Sequence, residues 1–219
     1  PDAGVWPDGR GAEQKLVVAE AAALRGRAFS GGVDDEVPQL PILARDVEGG
    51  QMARDMTIFV DDDGRAYHLF SSEENSTLHL SLLSDDYLSH AGRYVLLFEN
   101  RWNEAPAICK RNGRYWMLMS GCTGWAPNAA RAATAPSIWG PWTELPNPCR
   151  GVNPENGLGP EKTFGGQSTY ILKVEGDPDR FVAMFDRWNP DDAIDGRYIW
   201  LPMVFGETDY TIPWRNVWP

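Results

Sequence analysis

Three β-hairpins, each followed by further strand-like runs, recur along this chain at intervals of about 50 to 60 residues. The hairpins are predicted over Met56–Phe70, Ala105–Met119 and Thr169–Phe185. The turns of the first two contain Asp63-Gly64 and Asn112-Gly113, the residue pairs that tight hairpins prefer because glycine tolerates positive φ. A repeat of this length with four strands is typical of a propeller blade. The chain is therefore expected to be all-β from Gln51 to Pro219, with about three four-stranded blades of which the third is shorter.

Residues 1–50 differ in character from the rest and are predicted to form a separate, partly helical N-terminal segment. Ala and Leu are frequent between Gly11 and Arg27, and proline is absent there. This composition favours one helix over Glu13–Leu24. We expect residues 51–219 to form the second unit, the propeller portion.

The charge of the chain excludes several classes of partner. Its formal net charge is -11, and an acidic surface repels nucleic acid and anionic lipid. No apolar run approaches the length of about 18 residues that a membrane span needs, and we recognise no signal peptide. With 42% apolar residues the chain can still bury a substantial core.

The cysteines and acidic turns show no spacing typical of a metal site, so no metal or cofactor is predicted. Cys122 and Cys149 could form one disulfide, or all three cysteines, including Cys109, could be buried thiols; the sequence favours neither. Asp61–Gly64 lacks the alternating ligands and distal glutamate of a calcium loop and is predicted to be a turn.

A polar residue stands just before the first strand of each hairpin: Asp55, Glu104 and Gln167. The first strand of every blade lines the central axis of a propeller, so these side chains would converge at one mouth of the channel. Two carboxyl groups in such a funnel suit glycoside hydrolysis, in which one protonates the leaving oxygen and a second group handles water. Alternatively, these residues only open each strand as turn formers.

Several stretches resemble glycoside hydrolase family 43, in its exo-β-1,3-galactanase-like branch. They occur in the order and spacing of that family from about Gln51 to Trp218. The stretches are Ala53–Gly64, Ser71–Asn75, Glu104–Ala107, Ser120–Asn128, Gly140–Trp142, Phe164–Thr169 and Asp186–Pro190. The resemblance implies a five-bladed glycosidase propeller, here reduced to about three blades.

The resemblance also implies roles for the three polar residues. Glu104 matches the general acid, and Asp55 matches the carboxylate that orients it and raises its pKa. Gln167 matches the active-site glutamine of galactanase-type members. Because an amide is a feeble base, we expect it to position water or a sugar hydroxyl, although a proton-relaying imidic form is an alternative.

Further residues are implied to bind the substrate. Trp125 and Asn128 match a loop that walls the sugar subsite, where flat aromatic faces stack on sugar rings. Glu73, Arg187 and Trp188 are expected to bind hydroxyl groups or to take part in supporting ion pairs.

Family members contain two further blades before the motif Arg54-Asp55-Met56, and residues 1–50 are too few to form them. We therefore expect the N-terminal segment, a homo-oligomer or a partner chain to cover the faces left open. The predicted function is inverting hydrolysis of β-linked galactose-containing polysaccharide or oligosaccharide. Alternatives are a non-catalytic carbohydrate-binding propeller and a fragment active only with a partner chain. The resemblance favours a secreted or periplasmic protein.

Overall fold

The computed structural model describes residues 16–18 and 53–218, and most of the regular structure within them is β-strand. The strands lie in four separate sheets, joined by turns and two short 3-10 helices at Pro160–Gly165 and Ala193–Asp195. The all-β prediction is confirmed over these residues. No helix among them has the length and apolar character needed to cross a membrane.

The first sheet, sheet A, is antiparallel with the order β1-β5-β4-β3-β2. It contains the first predicted hairpin and both strands predicted to follow it. Its strands are β1 (Leu16–Val18), β2 (Met56–Val60), β3 (Ala66–Ser72), β4 (Thr77–Leu83) and β5 (His90–Leu97).

The second and third predicted hairpins begin sheets B and C. Sheet B is antiparallel with the order β6-β7-β8-β9, and sheet C follows with the order β11-β12-β13, one strand fewer, as expected for the shorter third unit. A small fourth sheet has the order β10-β15-β14. The strands are β6 (Asn103–Arg111), β7 (Arg114–Gly121), β8 (Arg131–Ala135), β9 (Thr143–Leu145), β10 (Cys149–Arg150), β11 (Gln167–Lys173), β12 (Phe181–Arg187), β13 (Arg197–Pro202), β14 (Val204–Phe205) and β15 (Tyr210–Pro213).

The helix predicted over Glu13–Leu24 is wrong at the residues of that range that the structure describes. Leu16–Val18 forms a strand that pairs antiparallel with β5, with Val17 opposite Tyr94. The outer edge of β5 offers unpaired backbone groups, and two adjacent β-branched valines favour a strand over a helix. The remainder of the predicted helix lies outside the described residues.

The predicted hairpin turns have the expected backbone. Asn112 and Gly113 have φ values of 51° and 74°, which place both central residues of the β6–β7 turn in the left-handed region. Gly64 closes the β2–β3 turn with a φ of 80° and donates its N–H to the carbonyl of Asp61 at 2.9 Å. The turn predicted in place of a calcium loop is confirmed.

Sheet B is buried on both faces because it lies between sheets A and C. Towards sheet A, Ile108 and Met117 pack in a core with residues such as Leu69. Towards sheet C, Trp116 and Leu118 pack in a second core with residues such as Phe185 and Ile199. Neighbouring residues of β6 and β7 therefore belong to different cores, as the period of two in a strand requires.

The described cysteines are all free thiols: Cys109, Cys122 and Cys149. The disulfide alternative for Cys122 and Cys149 is therefore wrong. Burial raises the pKa of Cys149 to about 12, so this thiol stays protonated within the core. Among the described residues, no group of three potential metal ligands is found.

A buried carboxylate joins sheets A and B at the end of the sheets that carries the hairpin turns. Asp61 follows β2, is 9% exposed, and accepts hydrogen bonds from the Lys110 ammonium at 2.6 Å and from the Tyr115 hydroxyl. Burial acts to raise the pKa of Asp61, but the hydrogen bonds from Lys110 and Tyr115 outweigh it, and the pKa is lowered. The folded state thus favours the ionised form.

Replacing Asp61 with Asn should therefore destabilise the fold by about 1–3 kcal/mol near neutral pH, because the partners of a buried charged hydrogen bond are left incompletely satisfied. Since its pKa is lowered on folding, the contribution of Asp61 is complete above the unfolded pKa of about 3.9 and is lost as the pH falls through the folded value. Denaturant unfolding of both proteins at several pH values measures the difference.

Asp63→Asn is the matched control, because the Asp63 carboxylate lies exposed in the same turn. The hydrogen bonds described for its side chain all come from Arg65. We expect it to leave the unfolding midpoint unchanged. A loss for Asp61→Asn that is the same at pH 3 and pH 7 would contradict the assignment.

Candidate active site

The first strands of sheets A, B and C bring Asp55, Glu104 and Gln167 to one site. Asp55 directly precedes β2, Glu104 is the second residue of β6, and Gln167 begins β11. Strand β6 contacts both β2 and β11. The Asp55 carboxylate accepts the backbone N–H of Ala105 at 3.1 Å, and the Gln167 amide donates to Glu104 Oε2 at 3.5 Å. The convergence predicted from the sequence is present.

A β-bulge in β6 sets the direction of the Glu104 side chain. The register with β7 shifts between Glu104 and Ala107, so β6 carries one extra residue here. Ala105, inside the bulge, has a φ of 50°. The N–H of Ala105 donates to the carboxylate of Asp55, the residue just before β2 of sheet A. The carbonyl of Ala105 accepts a hydrogen bond from the Ser168 hydroxyl of sheet C at 2.7 Å. The backbone groups freed by the bulge therefore bond to both neighbouring sheets.

Three neutral donors surround the Glu104 carboxyl group. Asn75 Nδ2 donates to Oε1 at 2.5 Å, the Cys122 thiol bonds to the carboxyl group, and Gln167 Nε2 lies near Oε2. Gln167 is itself held by Ser120, whose Oγ accepts from the same Nε2 at 2.8 Å. Both carboxyl oxygens thus have a defined neighbour.

The pKa of Glu104 is raised above its usual range. Burial is the main cause and the negative charge of Asp55 is the second, while the bonds from Cys122 and Asn75 act in the opposite direction. A carboxyl group in such surroundings retains its proton to higher pH, as a general acid requires.

The turn that carries Asn75 has an unusual backbone. Glu73, Glu74 and Asn75 have φ values of 53°, 57° and 68°, and none of them is glycine. The turn directs the Asn75 amide to Glu104 and the Glu73 carboxylate to His79 Nε2, 3.2 Å away. Burial lowers the pKa of His79 to about 4, so the ring is neutral and donates from Nε2. Burial and the charge of Glu99 raise the pKa of Glu73.

Two indole rings stand beside Gln167. Trp125 and Trp188 make an edge-to-face pair with ring centroids 5.1 Å apart, and they are 65% and 47% exposed. With Gln167, Ser120 and Asn128 they line a shallow cleft that is partly open to solvent. Aromatic faces that remain exposed next to polar groups are suited to stacking on the apolar faces of sugars.

Asn128 supports the loop that carries Trp125. Its amide accepts the N–H of Gly121 and donates to the carbonyl of Gly121, both at 2.8 Å. It also donates to the Thr123 hydroxyl at 2.7 Å. Both amide hydrogens are therefore used within the loop.

Arg187 is placed at the end of β12, next to Trp188 in the chain. Its guanidinium bonds to the exposed Glu155 carboxylate at 3.0 Å. Among the hydrogen bonds described for its side chain, none joins it to Glu104 or Gln167.

Sequence reasoning predicted a site formed by Asp55, Glu104 and Gln167, but it assigned no role at that site to Asn75, Ser120 or Cys122, which contact Glu104 or Gln167 in the structure. All three lie within stretches that carry the family resemblance, at the ends of Ser71–Asn75 and within Ser120–Asn128. Membership of these stretches was the sequence signal that could have identified the three residues. Their contacts with the site could not be predicted, because they depend on the bulge in β6 and on the left-handed turn.

Comparison with known proteins identifies the family of the chain. The sequence profile of the family described as glycosyl hydrolases family 43 matches residues 38–159. The chain belongs to this family. The resemblance predicted from the sequence motifs is thereby confirmed.

The similar proteins of known structure include a β-1,3-galactosidase and an exo-β-1,3-galactanase. A β-1,3-galactosidase named BT3683, solved with galactodeoxynojirimycin, is 51% identical, with a TM-score of 0.71 over 81% of this chain and 50% of its own. The exo-β-1,3-galactanase 1,3Gal43A from Clostridium thermocellum is 35% identical, with a TM-score of 0.65 over 74% of this chain and 34% of its own.

A curated relative is the β-D-galactofuranosidase xynD of Aspergillus niger. It is 32% identical over 117 residues, which are 52% of this chain and 33% of that protein. The chain thus spans half or less of the length of each of these relatives.

The electrostatic model of the site can be tested without a substrate. Asp55→Asn should lower the pKa of Glu104, because it removes the neighbouring negative charge. Asn75→Gly should raise it, because a donor to the carboxylate is lost, and glycine adopts the positive φ at position 75 without strain. Carbon-detected NMR titration of the glutamate carboxyl groups follows both changes.

Glu175→Gln, in the hairpin turn between β11 and β12, should leave the titration of Glu104 unchanged. Shifts of the same sign in Asp55→Asn and Asn75→Gly would contradict the opposing contributions described above.

Proposed function

We propose that this chain is the acid-bearing part of an inverting glycoside hydrolase that removes galactose from β-1,3-linked galactan. The observation that carries the proposal is the half-buried Glu104 carboxyl group, which lies between Asp55 and Gln167 and whose pKa is raised by burial and by the charge of Asp55. Relatives named for β-1,3-galactosidase and exo-β-1,3-galactanase activity support the choice of substrate.

In the proposed reaction Glu104 donates its proton to the glycosidic oxygen as the bond to the anomeric carbon breaks. Asn75 donates to Oε1, which favours protonation of Oε2, the oxygen that neighbours Gln167. The negative charge of Asp55 disfavours ionisation of Glu104 before the substrate binds. These residues therefore hold the proton at a defined atom.

Inversion requires water to attack the opposite side of the sugar ring, with its proton taken by a second group. Gln167 is placed to orient that water or a sugar hydroxyl, but its amide is a feeble base. We propose that the proton acceptor belongs to the part of the family domain that this chain does not span. The described sheets A, B and C would then be three blades of a larger propeller.

The substrate would extend from Glu104 across the indoles of Trp125 and Trp188. In this arrangement Asn128 acts by holding the Trp125 loop rather than by bonding to the sugar, since its amide hydrogens are already used. Arg187 and Glu73 would act as supporting residues, because each is bonded to a protein partner.

A second candidate function is carbohydrate binding without catalysis. It is favoured by the two exposed indoles of Trp125 and Trp188, which could hold a sugar without any catalytic step. This alternative keeps the aromatic cleft and gives no catalytic role to Glu104.

The acid assignment predicts a dependence on the leaving group. Glu104→Gln should reduce hydrolysis of β-1,3-galactobiose by about 10²- to 10⁴-fold, because the leaving sugar must be protonated. The loss should be much smaller for an activated aryl β-galactoside, whose leaving group departs without a proton. Steady-state rates on both substrates test this, with Glu175→Gln as the control.

Equal losses on the two substrates would show that Glu104 is not the acid. Because the proposed proton acceptor lies outside this chain, the rates are measured with the unmatched half of the 51%-identical relative co-expressed. If that preparation has no activity on any galactan but binds galacto-oligosaccharides, the carbohydrate-binding function replaces the enzymatic one.

The aromatic cleft predicts a loss of binding that is separate from catalysis. Trp125→Ala should weaken binding of β-1,3-galactotriose by about 10-fold, because one stacking face is removed. Isothermal titration of the Glu104→Gln background measures binding without turnover. Tyr87→Ala is the control, since Tyr87 is 45% exposed in the turn after β4 and bonds to the carbonyl of Gly64 in the β2–β3 turn, and it should leave the affinity unchanged.

A further inference from the structure

The three histidines of the chain lie together on one face of sheet A. The ring of Phe70 contacts all of them, with centroid distances of 4.5 Å to His68, 5.2 Å to His79 and 6.4 Å to His90. His68 and His90 bond to each other at 3.2 Å. His79 is fully buried and instead has a carboxylate partner, Glu73. The fold therefore separates His79 from the other two by its burial and by what it bonds to.

The orientation of the His79 ring is fixed by its neighbours. The ring packs against Phe70 and lies almost parallel to Tyr94, at an interplanar angle of 10° and a centroid distance of 6.3 Å. Nε2 is 3.2 Å from Glu73 Oε1, and Nδ1 has no hydrogen-bond partner in the part of the chain that the structure describes. A neutral imidazole has a single N–H, so the carboxylate partner places that proton on Nε2. His79 is thus a rigid donor directed at Glu73.

The turn Glu73–Asn75 needs a restraint of this kind. Its three residues have positive φ, a conformation that is costly for residues with a Cβ and that persists only where surrounding contacts hold it. The Glu74 carboxylate pairs with Arg54, but both side chains are exposed, and exposed ion pairs contribute little. Among the ion pairs described for this turn, the contact between His79 and Glu73 is the one with a fully buried member.

We propose that His79 is a positioning residue for Glu104, because it holds Glu73 and thereby the turn that directs the Asn75 amide to Glu104 Oε1. Only one residue separates Glu73 from Asn75, so a displacement of the first moves the second. The two contacts in this path are 3.2 Å and 2.5 Å long. The inference rests on the proposed role of Glu104 as the acid and adds a residue of β4 that does not itself reach the site.

The test replaces His79 with Phe, which keeps an aromatic ring next to Phe70 and removes the donor to Glu73. The pKa of Glu104 should rise by at least about half of the rise that Asn75→Gly causes, because the Asn75 amide is no longer held at the carboxylate. Carbon-detected NMR titration of the full chain measures this change. In the Asn75→Gly background, His79→Phe should add no further shift, because the two residues act through one contact.

A rescue variant and a matched control separate positioning from a merely structural role. His79→Gln retains an N–H donor of similar reach and should return the pKa of Glu104 most of the way to that of the unmodified chain. His68→Phe is the control: it changes the same residue type on the same face of sheet A and next to the same Phe70 ring, but His68 bonds to His90 and not to the turn. It should leave the titration of Glu104 unchanged.

The contact can also be broken from the turn, which keeps the test decisive if His79→Phe does not fold. Glu73→Ala and Glu73→Gln remove the same charge, but only the first removes the acceptor, so it should raise the pKa of Glu104 more. Equal values in the two Glu73 variants, no rise in His79→Phe, a full additional shift in the Asn75→Gly background, no rescue by His79→Gln, or an equal rise in His68→Phe would each overturn the proposal. Since the readout is a proton affinity and not turnover, such a failure leaves the test of Glu104 as the acid untouched.

Discussion

The structure depends on the burial of sheet B on both faces. Residues of β6 and β7 alternate between two cores, so Ile108 and Met117 hold sheet A while Trp116 and Leu118 hold sheet C. A strand whose two faces are both buried must be apolar at nearly every position. This requirement explains why the segments Ala105–Cys109 and Tyr115–Met119 contain almost no polar side chains.

The active-site geometry follows from the same arrangement. Because sheet B is fixed between its neighbours, the bulge at Ala105 can bond to Asp55 on one side and to Ser168 on the other. Glu104, next to the bulge, then receives its electrostatic environment from the residues around sheet A and from sheet C. A shift of either outer sheet would therefore change the surroundings of the Glu104 carboxyl group.

The sequence predicted the strands and the convergence of Asp55, Glu104 and Gln167 because these follow from local signals. Turn pairs such as Asn112-Gly113 fix hairpins, and equivalent positions before each first strand converge once the sheets pack side by side. The Ala-rich composition around Leu16–Val18 gave the wrong element, since pairing with β5 is a tertiary interaction that local propensity does not contain.

Other features of the site depend on backbone conformations that no sequence pattern specified. The contact of Asn75 with Glu104 requires three consecutive non-glycine residues at positive φ, and the position of Asn128 within its loop requires contacts with Gly121. The ion pair between Asp61 and Lys110 joins residues that are 49 positions apart in the chain. Such contacts become visible only when the strands are in place.

The left-handed turn Glu73–Asn75 has a cost that a glycine would relieve, because only glycine adopts positive φ without a steric penalty. The strain lies in the turn that directs the Asn75 amide towards Glu104 Oε1. Among the hydrogen bonds described for that oxygen, this is the only one from an amide. Folding stability alone would favour glycine in this turn, whereas the contact with Glu104 needs the amide side chain of Asn75. The turn is therefore a position where thermal robustness and the hydrogen bonding of Glu104 make opposite demands on the same residues.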